Sequence, residues 1–217
     1  MAELWFPGAQ RWPGNSAVTG YLPPLGQRAP KRGAVLHSAE GSNWDVIHNL
    51  LLTKSWHLTI GYDRVEQHHS LDVNCWHGAD TDDDNAVRAN IDLIGIEALG
   101  VAGEALTAYQ REQEVELNRW CAAQFGRSTF HRFDGWDPDE AGVWVLAEHN
   151  EVSNTYTACP SGRIPWPRIL AALEDTVDDQ ARLWMAVAAL FGEAASYALR
   201  GRPLPAALKA QIKYLVA

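Results

Sequence analysis

His37, His149 and Cys159 lie far apart along the 217-residue chain, yet each is a residue type that binds a borderline-soft divalent metal. His37 closes a short apolar run, Ala34-Val35-Leu36, and His149 follows a second one, Val143-Trp144-Val145-Leu146-Ala147. Cys159 comes after a polar, turn-forming stretch and directly precedes Pro160. Polar groups at the ends of apolar strands can meet at one edge of an open α/β sheet. Two imidazoles and a thiolate would leave one position of a tetrahedral zinc ion open to water, whose pKa the metal lowers towards neutrality. The competing reading of the His149 and Cys159 pair is a surface histidine beside a buried cysteine, and either residue alone is compatible with it.

Glu97 interrupts the most apolar strand candidate, Leu93-Ile94-Gly95-Ile96-Glu97-Ala98-Leu99. An unpaired carboxylate in such a strand is costly. Either it bonds a neighbouring backbone group or arginine, or it is a general base that handles the proton of an attacking water.

The elements that must place these groups follow from periodicity and caps. Residues 3–33, rich in proline and glycine, read as an extended arm anchored by Leu4, Trp5, Phe6 and Trp12. Ser42 or Asn43 caps a helix running to about Thr53. Ser55–Tyr62 and Val65–His69 form a hairpin through Asp63-Arg64. Cys75-Trp76-His77-Gly78 is an aromatic loop, and Ala79–Asn85 an acidic one without the ligand spacing of an EF-hand. Thr107 and Gln110 make a capping box for a helix through Phe125, ended by Gly126, with Cys121 on its core face. Residues 127–142 read as a charged loop, Trp166-Pro167 opens a helix, and residues 180–200 and 204–216 read as two more. This order predicts an α/β fold, a single domain with a central mixed β-sheet flanked by helices, plus a C-terminal helical appendage. The divisions are an arm over 1–32, the main domain over 33–177 and the appendage over 178–217.

The net charge of −9 argues against a nucleic-acid partner. The charge is uneven: residues 61–160 carry 6 Lys and Arg against 19 Asp and Glu. Three irregularly spaced cysteines imply no disulfide framework and a reducing compartment. The first residues lack a basic and then apolar leader, so the chain is expected to be made in a (host) cytoplasm without a signal peptide.

Five segments, in order, resemble the zinc-dependent N-acetylmuramoyl-L-alanine amidases, a family that includes phage endolysins and peptidoglycan recognition proteins. They are Val35-Leu36-His37-Ser38-Ala39, Ser55-Trp56-His57-Leu58, Cys75-Trp76-His77-Gly78-Ala79, Asn90 with Ile94-Gly95-Ile96-Glu97, and Glu148-His149-Asn150-Glu151-Val152 through Thr157-Ala158-Cys159-Pro160-Ser161-Gly162. The likeness spans roughly residues 33–172. It implies Zn²⁺ on His37, His149 and Cys159, an oxyanion-holding role for Thr157, and Glu97 as the base. His57 and His77 match substrate-side positions. Trp56 and Trp76, among ten tryptophans, either stack on sugar rings or pack in the core. Trp56 stands where many members have a catalytic tyrosine, which moves the acid–base role towards Glu97. Glu148 and Leu93 also depart from the family pattern. His48, His68, His69 and His131 read as ordinary surface or loop residues.

The resemblance implies a peptidoglycan hydrolase of the phage endolysin kind, acting at the bacterial cell wall on the amide between N-acetylmuramic acid and L-alanine. A cytoplasmic amidase that recycles anhydro-muropeptides and a non-catalytic peptidoglycan-binding module are the rival readings. Beyond the resemblance, residues 181–217 hold five Lys or Arg against Glu193 alone. Their helices read as a packed hairpin or dimer contact, or as an anchor for an anionic membrane or wall polymer.

Overall fold

Alternation along the strands decides the architecture. In a computed structural model that describes residues 3–19, 31–78, 88–134, 141–153 and 155–175, seven strands form one mixed sheet. They are β1 (Gln10–Arg11), β2 (Gly33–Ser38), β3 (Leu58–Ile60), β4 (Val65–Gln67), β5 (Leu93–Ala98), β6 (Thr129–Arg132) and β7 (Val143–Glu148), in the order β1-β4-β3-β5-β2-β7-β6. β2 is central and parallel to both β5 and β7. β3 joins β5 in parallel, and the hairpin partner β4 runs antiparallel to β3. The acidic loop at Ala79–Asn85 and the two helices expected at 180–200 and 204–216 lie outside the described residues.

Side chains two apart share a face of a strand. Ala34, Leu36, Ile94, Ile96, Trp144 and Leu146 therefore point together, into the larger core under α3 (Ala108–Gln124) and α5 (Trp166–Glu174), with Leu117, Cys121, Ile169 and Leu173. Each fully buried Leu or Ile there contributes about 1.5–3 kcal/mol. Val35, Val145 and Ala147 point the other way, into a smaller cluster with Ala89 of the short α2 (Ala89–Asp92), Leu93, Phe133 and Val152. His37 and Glu97 share the parity of Val35, so they stand on the face opposite α3.

Most of the sequence-based elements are present. Asn43 caps α1 (Trp44–Leu50), its side chain accepting from the Val46 N–H. Thr107 and Gln110 form the reciprocal box at the start of α3, and Gly126, at φ +69°, takes the left-handed turn that releases the chain after it. Leu4 and Phe6 of the arm are buried in the main core, whereas Trp12 is 47% exposed and stacks on His48 at 3.8 Å.

Three expectations are corrected. The strand expected over Ser55–Tyr62 is laddered only at Leu58–Ile60; before it, the Ser55 hydroxyl donates to Val18 O and accepts from the Trp76 N–H. The loop expected over 127–142 contains β6, an edge strand made by pairing with β7. His68 and His69 lie in the loop after β4 but not at the surface: both are buried, and His68 bridges Thr59 Oγ1 and Trp12 O.

Candidate metal centre

Register places the site. His37 pairs with Glu97 across β2 and β5, and Leu36 pairs with Glu148 across β2 and β7, which sets His149 level with His37 at the carboxyl edge of the sheet. β7 turns directly into α4 (His149–Val152), a single helical turn. Arg132 holds that turn through paired bonds to Glu151 and stacks over Trp166 at 3.9 Å, and the Trp166 indole donates to Glu148 Oε1. The Asn150 N–H donates to Cys159 O at 2.9 Å, tying α4 to the loop of the third donor. That loop is fastened to β2 by the Ser38 N–H, which donates to Cys159 Sγ at 3.1 Å.

As a result, one donor atom from each of His37, His149 and Cys159 lies within 4.8 Å of the others. Cys159 Sγ is 3.9 Å from His37 Nδ1, and the two imidazole centroids are 4.6 Å apart. Donors around a tetrahedral zinc ion stand about 3.5 Å from one another, so small side-chain adjustments close the set. Among the described residues this is the one such group. Burial, reinforced by His77 and His149, holds His37 well below the usual histidine range, and burial with Lys54 lowers His149. Both rings are therefore neutral and offer lone pairs. Burial, with Glu97 nearby, pushes the Cys159 thiol up to about 12, while the Ser38 N–H works against it. A bound dication reverses that balance, because a coordinating thiol loses its proton. The donor set thus fits a borderline metal ion.

Glu97 faces the same space. Its Oε1 is 3.9 Å from His37 Nδ1, and its buried Oε2 has no hydrogen-bond partner among the described residues. Burial raises this carboxyl to about 8. No neighbouring backbone group or arginine among the described residues satisfies Glu97 Oε2. Thr157 lines the same cleft, and its Oγ1 accepts from the Cys159 N–H at 3.2 Å, so its own hydroxyl hydrogen is left to point elsewhere.

The cleft has a volume of 870 Å³ and is walled by Trp76, His77, Lys54 and Leu50 around the donors. Trp76 is 52% exposed on its rim. Two of the residues expected on the substrate side are buried. His57 is fully buried away from the cleft, its Nδ1 accepting from the Gly95 N–H at 3.0 Å and its Nε2 donating to Val73 O at 2.9 Å. Trp56 lines the cleft but is only 3% exposed, packed with Ile47, Leu51 and Leu99 and donating to Thr59 Oγ1 at 2.7 Å. His77 does border the cleft, but both its nitrogens are engaged within the protein.

Two further residues carry no signal in the sequence. Arg163 is buried and links the Cys159 loop to the ends of β2 and β5 through Ser38 Oγ, Ala98 O, Leu99 O and Glu104 O. Tyr156, 98% exposed, sits between the cleft residues Thr155 and Thr157. An arginine after a Ser-Gly turn looks like a surface charge, and an isolated tyrosine looks like any other.

A parallel-centred α/β sheet with a donor triad at its carboxyl edge is the class that fold and site define. Solved structures with this fold include a selenomethionine derivative of AmpD, aligned over 79% of this chain and 98% of that one with a TM-score of 0.56 at 19% identity. N-acetylmuramoyl-L-alanine amidase LysC from Clostridium intestinale URNW aligns over 76% and 97% with a TM-score of 0.51 at 18% identity. The PlyG catalytic domain aligns over 76% and 90% with a TM-score of 0.52 at 15% identity. No family model and no curated protein sequence matches the chain. Among the described residues, no helix is long and apolar enough to cross a membrane.

Proposed function

We propose that this chain is a zinc-dependent peptidoglycan hydrolase of the endolysin kind, cleaving the amide between N-acetylmuramic acid and L-alanine. The observation that carries the reading is the convergence of His37, His149 and Cys159 beside Glu97, whose buried Oε2 has no hydrogen-bond partner among the described residues. Its occurrence on the fold of a solved N-acetylmuramoyl-L-alanine amidase supports it. His37, His149 and Cys159 would hold the ion. When bound, zinc supplies Lewis acidity, polarising a carbonyl and making water a nucleophile near neutral pH.

The chain's own groups do the rest. Glu97, raised to about 8 by burial, gains and loses a proton close to neutral pH. It takes the proton shed by the attacking water and returns it to the departing alanine nitrogen. Thr157 has its oxygen engaged by the Cys159 N–H, and it donates its hydroxyl hydrogen to the carbonyl oxygen as negative charge builds there. Trp76 offers an exposed ring face on the rim to a sugar ring.

Digestion of purified sacculi with mass analysis of the fragments tests the assignment, with His149→Ala as the control. New free N-terminal alanine without new reducing sugar is the expected result. New reducing ends, or equal activity in the control, would overturn it.

A further inference from the structure

His77 is held by Asn90, Gly95 and Leu93, which have no role in the chemistry described above, and it reaches His37, which has one. Asn90 Oδ1 accepts from the His77 N–H at 2.9 Å and from the Gly78 N–H at 2.8 Å, which fixes the loop. Gly95, on the strand beneath, leaves room for the ring: a Cβ there would come within 2.6 Å of His77 Cγ. At its far side, His77 Nε2 lies 3.3 Å from Leu93 O and its Nδ1 lies 3.2 Å from His37 Nε2.

A carbonyl oxygen only accepts, so His77 Nε2 carries the hydrogen. The neutral ring then has a lone pair on Nδ1, and His37 must donate to it from Nε2. That leaves the His37 lone pair on Nδ1, the atom facing Cys159 Sγ at 3.9 Å and Glu97 Oε1 at 3.9 Å. We propose that His77 is a positioning residue: the relay Leu93 O, His77, His37 holds the first donor in the one tautomer and ring orientation that points a lone pair into the metal centre. Asn90 and Gly95 serve the same relay by holding and accommodating the His77 loop. The role at the metal rests on the zinc reading above; the tautomer does not.

Nitrogen-15 NMR of the metal-free wild-type protein reads the tautomer directly. A protonated Nε2 and a bare Nδ1 on His37 are expected; the opposite tautomer, or an even mixture, overturns the proposal without any variant having to fold. Zinc affinity, measured by competition with a chromophoric chelator, is the second readout. His77→Phe removes the acceptor and should weaken zinc binding by about 10- to 100-fold. His77→Asn places an amide oxygen near the position of Nδ1 and should recover most of that loss. His77→Phe within twofold of wild type overturns the proposal while leaving the amidase reading intact. A wild type that binds no zinc sinks the metal reading instead, and the tautomer measurement then decides the relay alone.

Discussion

Replacing Arg163 by lysine keeps the positive charge and removes the fork. The guanidinium donates from Nε to Glu104 O at 2.8 Å, from Nη1 to Ser38 Oγ at 2.8 Å and Ala98 O at 3.0 Å, and from Nη2 to Leu99 O at 2.8 Å. These acceptors spread over two strand ends and a loop, and one ammonium cannot reach them all. With two left unpaired in a buried setting, at about 1–3 kcal/mol each, Arg163→Lys should cost about 2–6 kcal/mol. A domain of ordinary stability has about 5–15 kcal/mol to lose. Urea denaturation followed by tryptophan fluorescence should therefore show a midpoint lower by roughly 1–2 M at an unchanged slope. Ser38 also donates its N–H to Cys159 Sγ, so the loosened joint should weaken zinc binding in the folded variant. A variant within about 0.5 kcal/mol of wild type, a typical surface-substitution effect, would refute the claim that Arg163 clamps the two strand ends to the donor loop.

Three other perturbations test separate parts of the structure. Glu114 is fully buried on α3 with neither carboxylate oxygen hydrogen-bonded among the described residues, and burial raises it to about 8 despite the opposing pull of Arg163. The unfolded chain loses this proton near the ordinary value of 4.5 and the folded protein keeps it to about 8, so stability contributed here falls as pH rises through that window. Glu114→Gln should gain on wild type by a few kcal/mol between pH 5 and pH 9, and a difference that does not change with pH sinks the assignment. Glu97→Gln should keep zinc stoichiometry while lowering kcat by about 10²- to 10⁴-fold; near-normal turnover would remove Glu97 as the base. Thr157→Val should lower kcat by about 10²-fold with little change in zinc affinity, and an unchanged kcat would mean the hydroxyl does not meet the oxyanion.

What could be read from residue order was whatever is local or periodic. The capping box at Thr107 and Gln110 is satisfied within one helical turn, so its spacing alone implies the helix start. The apolar runs before His37, around Glu97 and before His149 imply strands because each is buried on both faces. β6 escaped notice because Thr129–Arg132 is half-exposed at the sheet edge, and only its ladder with β7 makes it a strand.

The histidines divide along the same line. His57 and His77 carry the same side chain in equally suggestive settings, yet one ties backbone to backbone and the other reaches His37 in the candidate metal centre. That distinction depends on what Gly95 leaves room for and on which carbonyl lies within reach, and neither follows from neighbours in sequence. Residue type and strand period alone determined which groups could act and on which face of the sheet they stand. Only the tertiary structure decided which lone pair faces which neighbour, because hydrogen-bond direction is set by partners between 16 and 125 residues away and by the packing that holds them there.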